Sequence, residues 1–426
     1  MSVAVNRTTH RLSARRRWLI GIFAVVPLAL AACQPELSVS TMPAPTEPRV
    51  SITAFPAQAG VQPRTPIVVE ARGGRLQDVA VVGPTGAIEG ALDSLGTRWT
   101  SLTDTLDYGA SYTIESRAYD ARGNVATNVT RFSTIEPEKF FSAYAEPADG
   151  EVVGVGIPIT VNFSKKVDNK ADIERAMVVR TPEPLLGAWS WKDDRTVEFR
   201  PKDLWPGDMD VTVELNFEGV QARDGVFGES NTAQTFRFRP SMVSVVDAAT
   251  YTMEVFKAGE LINTVPITTG KEGWETREGT KVILTKERVR VMDAASGGIS
   301  ADSPNYYRVT APYAMRLTYS GEFIHAAPWS VASQGSANVS HGCVGLSEEN
   351  AAWWWNQNDI GDVVIVKNTG RPHGNDGNGL TIWNDTWSQW LERSASGATF
   401  TVTNSNSNGR SDGDPAQAQP ASSVNP

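Results

Sequence analysis

The chain is expected to be mainly β: two immunoglobulin-like β-sandwich domains, a further β-sandwich unit with short helices, and a Trp-rich C-terminal segment. Three observations lead there. Val, Thr, Gly and Pro are spread along the 426 residues, while helix-favouring runs are scarce. Short β-rich runs alternate with turn signals such as Asp107-Tyr108-Gly109 and Trp205-Pro206-Gly207-Asp208. Residues 50–240 also repeat weakly, at a spacing of roughly a hundred residues. Pro56-Ala57 returns as Pro147-Ala148, Pro66-Ile67-Val68-Val69 as Pro158-Ile159-Thr160-Val161, and Ala121-Arg122-Gly123 as Ala222-Arg223-Asp224-Gly225.

The first 32 residues read as an export signal. Arg7, Arg11 and Arg15 to Arg17 make a positive start, and the apolar stretch from Trp18 to Ala32 is short for a membrane span. The stretch ends in Leu30-Ala31-Ala32-Cys33, which resembles a lipobox; Cys33 is then the acylated residue that anchors an exported protein to the cell membrane. Residues 33–49 are Pro-rich and polar, a tether. Residues 50–136 and 137–241 are the two immunoglobulin-like domains, which carry no Cys and no His and are read as spacers.

A new unit spans 242–368. Ser244–Asp247 and Thr252–Phe256 alternate around the turn-bearing Lys257-Ala258-Gly259-Glu260, and strands are expected at Lys281–Leu284, Arg288–Met292 and Glu322–His325. Between Asp293 and Pro312 periodicity fades, as in a lid loop. Ser347 caps a short helix with Glu348 and Glu349 in its first turn, and Gly361-Asp362 turns the chain into the strand Val363–Val366. In segment 369–398, Trp383, Trp387, Trp390 and Leu391 share one helical face, expected to pack on the preceding unit. Residues 399–426 read as a disordered tail.

Charge narrows the function classes. Formal net charge is −9, and removal of the signal takes away five arginines and no acids. Nucleic acid is therefore not an expected partner, since phosphate neutralisation needs clustered Lys and Arg.

There are two cysteines, Cys33 and Cys343, and four histidines. Two of those histidines, His325 and His341, lie close before Cys343. A thiol is only a few per cent ionised at neutral pH, so a nucleophilic cysteine needs an imidazole to take its proton. Gly342 leaves the backbone free to bring N–H groups towards an oxyanion. On residues alone, a general Cys/His hydrolase, a structural zinc site and an inert buried cysteine remain open, although the spacing matches no standard zinc finger.

His325, fourteen intervening residues, and Ser340-His341-Gly342-Cys343 together resemble the signature of the L,D-transpeptidase catalytic (YkuD) domain. The flanks Ile324-His325-Ala326-Ala327-Pro328-Trp329-Ser330 and Gly361–Val366 agree, as does Pro266–Lys271 upstream. With the lipobox and the two immunoglobulin-like modules, the whole resembles the mycobacterial type. The resemblance implies a peptidoglycan enzyme. Cys343 attacks the carbonyl of a diaminopimelate in a tetrapeptide stem and expels D-alanine, and a second stem's diaminopimelate amine takes the acyl group, giving a 3→3 cross-link. It implies His325 as general base, with the backbone of Ala326 orienting it. It places His341 and Gly342 at the oxyanion hole, and Tyr307, Trp329, Ser330 and Ser340 against substrate. It further implies acylation by carbapenems and no metal or organic cofactor. An L,D-carboxypeptidase or endopeptidase, or a non-catalytic wall-binding lipoprotein, are the alternatives. Two positions depart from the family's frequent pattern: Ala326 stands where Ser often follows the histidine, and Gly345 where Asn is often found.

Overall fold

The structure is a computed structural model that describes residues 50–403. The expected signal, Cys33 and the tether lie outside the described residues, as does the tail beyond 403.

The first immunoglobulin-like domain is two four-stranded antiparallel sheets. One runs in the order 51–55, 68–72, 98–101, 90–92, the other 86–87, 75–83, 111–119, 125–133. Its strand Ser111–Tyr119 shows why: Tyr112, Ile114, Ser116 and Ala118 turn inward while their neighbours face out, the pattern of a sheet buried on one side. The second domain has two five-stranded sheets and a small three-stranded one. Its core is dense in aromatics, among them Phe163, Trp191, Phe199, Trp205, Phe217 and Phe238. The two domains are joined by more than a linker, since Tyr108 Oη donates to the Gly228 carbonyl at 2.8 Å and accepts from Gly219 N at 2.7 Å.

The third unit holds β1 (Met242–Asp247), β2 (Thr252–Lys257), β3 (Glu260–Pro266), β4 (Gly279–Val282), β5 (Thr285–Asp293), β6 (Arg308–Arg316), β7 (Phe323–Ala326), β8 (Val344–Leu346), α1 (Glu348–Gln357) and β9 (Val363–Lys367). One sheet has the order β3-β2-β1-β9-β4, the other β5-β6-β7-β8. Ala258 and Gly259 both take positive φ, which gives the β2–β3 turn a twist that matches its strands. Ser347 caps α1 through a bond from Asn350 N, as its sequence signal implies. The expected lid is shorter than read: β5 and β6 extend into it, leaving residues 294–307.

Two expectations about the C-terminal part are corrected. The Trp face was expected on the 242–368 unit, yet Trp383, Trp387 and Trp390 close over Ala188 and Arg200 of the second immunoglobulin-like domain. The Arg200 guanidinium lies 5.0, 5.6 and 4.9 Å from these three rings, and the Trp390 and Trp383 indole N–H groups donate to the carbonyls of Ala188 and Gly156. A cation amid π faces is a partner that helical spacing cannot reveal. The segment still touches the third unit, where Asn384 bridges the Thr280 N–H and carbonyl of β4. Nor is residue 399 the start of disorder. Thr399–Phe400 and Val402–Thr403 each add an edge strand to one sheet of the second domain, and Thr401 between them is buried. The alternating β-branched and aromatic pattern of these five residues was hidden by the polar run behind it.

Candidate active site

The parallel pairing of β7 with β8 builds the site. Ile324 sits opposite Val344, His325 opposite Gly345, and Ala326 opposite Leu346. Side chains alternate across a strand, so Ile324, Ala326, Val344 and Leu346 enter the core with Met315 and Trp354. The residues between them, Phe323 and His325 on one strand, Cys343 and Gly345 on the other, fall on the opposite face. There His325 and Cys343 line one cavity of about 280 Å³ with Thr268, Met292, Tyr307 and Trp329. Strand register joins residues that the sequence holds apart.

His325 is buried, and its Nδ1 lies 2.7 Å from the Ala326 carbonyl. A carbonyl only accepts, so Nδ1 carries the hydrogen and Nε2 keeps its lone pair. Ala326 makes this contact through its backbone, which any side chain at that position supplies. Burial holds the ring's pKa below the ordinary histidine value. Burial likewise pushes the Cys343 thiol up to about 11, against the Phe323 N–H that faces its sulfur. The Sγ–H points at the Gly321 carbonyl, 3.7 Å away. Both shifts favour a neutral thiol and a neutral imidazole in the one cavity at rest. Alkylation of Cys343 by iodoacetamide is therefore expected to accelerate with pH to a midpoint well above the ordinary thiol value of about 8.5; a midpoint near neutrality would show a resting ion pair instead.

The turn before β8 is held from within. Ser340 Oγ donates to the Cys343 carbonyl at 2.6 Å and accepts from Gly342 N at 3.0 Å. Gly342 has φ +119°, a region that L side chains rarely adopt. Gly342→Ala is expected to cut activity by at least about tenfold, by displacing the sulfur roughly as a misplaced reacting group does; unchanged turnover in the folded variant would show that the turn does not position the sulfur. Space at Gly345 is tight: a Cβ there would lie 3.0 Å from Thr268 Cγ2 and 3.1 Å from Ala327 Cβ. The asparagine that the family often has at this position would make Thr268 and Ala327 give by a few tenths of an ångström.

The remaining expected residues sort unevenly. Tyr307 and His341 face each other across the cavity's edge, ring centroids 4.9 Å apart, and Trp274 meets His341 edge-on at 5.0 Å. His341 Nε2 is buried with no partner among the described residues, and burial lowers the ring's pKa, with Lys271 adding to the effect. Trp329 is 54% exposed at the cavity's edge, 5.9 Å from the His325 ring. Ser330 and Ser340 line the cavity, yet both hydroxyls are bound to backbone: Ser330 Oγ donates to the Ala327 carbonyl at 3.1 Å, and Ser340 Oγ to that of Cys343. The Gly342 N–H is likewise taken by Ser340. A larger cavity of about 890 Å³ lies beyond the Met292, Tyr307 and His341 wall. Among the described residues no group of three or more His, Cys, Asp or Glu is placed to hold a metal ion.

Thr268, Met292, Trp274 and Glu322 escaped the sequence reading. Only Glu322 left a signal, an acid at the head of the short apolar run that leads to the histidine. Thr268 acts through its hydroxyl, donating to the Ala337 carbonyl at 2.8 Å and accepting from Val339 N at 3.0 Å. It thereby fastens the segment that leads to Ser340.

Both parts of the chain have relatives among known proteins. Residues 241–366 match the L,D-transpeptidase catalytic domain family, and residues 58–221 the bacterial Ig domain family. L,D-transpeptidase 2 of Mycobacterium tuberculosis is 32% identical over 91% of this chain and 98% of its own length. L,D-transpeptidase 5 of the same species is 28% identical over 88% and 84%. Among solved structures, the LD transpeptidase LdtMt1 in complex with imipenem is 35% identical over 53% of this chain and 97% of that one, with a TM-score of 0.45. The likeness to L,D-transpeptidase 2, 32% identical over nearly its whole length, places the chain in the L,D-transpeptidase family.

Proposed function

We propose that the chain is a peptidoglycan L,D-transpeptidase that forms 3→3 cross-links through a thioester on Cys343. The observation that carries this reading is the β7–β8 register, which sets His325 and Cys343 on one face and in one cavity, in a chain of this family. Nε2 of His325, left with its lone pair, takes the thiol proton as sulfur attacks the carbonyl of the third stem residue. The tetrahedral oxyanion needs a donor; since the Gly342 N–H is held by Ser340, we assign the task to the Cys343 N–H, with His341 beside it. The intermediate collapses as the imidazolium returns its proton to the departing amine of D-alanine. A diaminopimelate amine then attacks the thioester, gives up a proton to His325, and leaves the cross-linked product with a free thiol. The apolar side chains of Met292, Tyr307 and Trp329 offer water few polar partners, which favours the amine over hydrolysis.

The test is incubation with purified tetrapeptide muropeptides and mass analysis of the products. Dimers with a 3→3 bond and one D-alanine released per bond are expected. Tripeptide monomers alone would make the protein an L,D-carboxypeptidase.

We further propose that the protein is exported and held at the cell membrane by lipid on Cys33, facing the wall, on the strength of the sequence pattern at 30–33. Metabolic labelling with an alkynyl palmitate should mark the wild-type chain and not Cys33→Ala, which should leave the membrane fraction; equal labelling of both would end this reading.

A further inference from the structure

Glu322 lies beside the nucleophile and has no part in the proton transfers above. Its two flanking peptide groups are the ones that meet the Cys343 sulfur: the Gly321 carbonyl faces Sγ–H at 3.7 Å, and the Phe323 N–H faces the same atom. The carbonyl suits the thiol, the N–H the thiolate. Glu322 thus sits at the centre of a backbone cradle for both forms of the sulfur.

Every polar group of Glu322 is engaged. Its carboxylate accepts from Lys281 Nζ at 2.5 Å and from both the backbone N and Nη1 of Arg277 at 3.0 Å, and its N–H donates to Thr318 Oγ1 at 2.9 Å. Lys281 on β4 is 1% exposed and Glu322 5%. Such pairs are weak sources of stability, because desolvation offsets their attraction and apolar residues of similar volume often serve as well. A buried ion pair tied to the backbone that holds a nucleophile therefore calls for a role in that nucleophile's position and charge. Burial opposes the Glu322 charge, but Lys281 and Arg277 overcome it and hold the carboxyl below its usual range.

We infer that Glu322, clamped by Lys281 and Arg277, is a positioning residue that fixes the Gly321–Phe323 cradle against Cys343 and balances the charge around its sulfur. The groups that face this region are Glu322, Lys281 and Arg316, which act on the thiol directly, and Tyr307, His325 and His341 within the cavity. Arg277 bonds the Glu322 carboxylate and acts on Lys281, and the buried His373 feels both members of the pair.

The test uses the full chain with Glu322→Gln, Lys281→Met and the double variant. Iodoacetamide alkylation of Cys343 is followed across pH, and the carbapenem acylation rate is measured at neutral pH. Glu322→Gln removes a negative neighbour and leaves Lys281, so the alkylation midpoint should move down. Lys281→Met should move it up, and the double variant should return it close to wild type. Each single variant should lose about tenfold or more in maximal acylation rate with little change in half-saturating carbapenem concentration, as expected of a misplaced reacting atom. A merely structural pair would let water reach the sulfur in both single variants and shift both midpoints downward together. That result, or an unmoved midpoint in Glu322→Gln, overturns the inference. If Lys281→Met does not fold, Glu322→Gln against the double variant decides, since only charge balance predicts that the second mutation reverses the first. The alkylation arm reads the thiol without any peptide, so its failure would leave the transpeptidase reading standing.

Discussion

Cys343→Ala is expected to abolish 3→3 dimer formation, with a fall of at least about four orders of magnitude, because no other thiol in the described residues lines the cavity and removal of a nucleophile leaves only binding and the oxyanion site. The same variant should show no carbapenem adduct by intact mass, where the wild type gains one. Two further measurements separate chemistry from collapse. The sulfur is small and 8% exposed, so its loss should cost only about 1 kcal/mol of stability, as for a minor core truncation. The cavity wall of Thr268, Met292, Tyr307 and Trp329 does not depend on it, so tetrapeptide should bind with its affinity little changed. Residual dimers above background in the purified variant would mean that Cys343 does not carry the acyl group.

Much of this site can be read before any coordinates. The nucleophile, the base and their turn are a spacing in the sequence, because a strand-end histidine and a Ser-His-Gly-Cys turn are local objects. The use of Ala326 through its carbonyl is legible too, since a backbone contact survives a change of side chain. What cannot be read is anything that depends on distant partners. Ser330 and Ser340 look like substrate hydroxyls until their backbone acceptors are seen. The Trp face is visible as periodicity, but its cation, Arg200, stands almost two hundred residues earlier, and nothing in either stretch names the other. Glu322 stands out in sequence only as an acid before an apolar run, and it and Lys281 become a buried pair only once β4 meets the segment that leads into β7. The short strands at 399–403 fail for a different reason: composition averaged over a long polar run hides five residues that alternate.

The second large effect concerns the base, and the Ala326 contact makes a clean experiment possible. His325→Asn keeps an amide N–H where the imidazole has Nδ1–H, so the bond to the Ala326 carbonyl is preserved, while the lone pair of Nε2 disappears. The fold should persist and acylation at neutral pH should fall by about 10² to 10⁴, the usual worth of a general base. The pH profile should change shape as well. In the wild type the acid limb belongs to the imidazole, which burial holds below its ordinary value, so activity should be nearly flat from neutrality upward. Without the imidazole the only route to an attacking anion is spontaneous loss of the thiol proton, and burial has pushed that group up to about 11. Activity of His325→Asn should therefore climb about tenfold for each pH unit across the neutral and alkaline range. A variant whose rate stayed flat with pH, or fell less than about tenfold at neutrality, would show that some other group deprotonates Cys343, and His341, with its unpartnered Nε2 at the same cavity, would be the residue to test next.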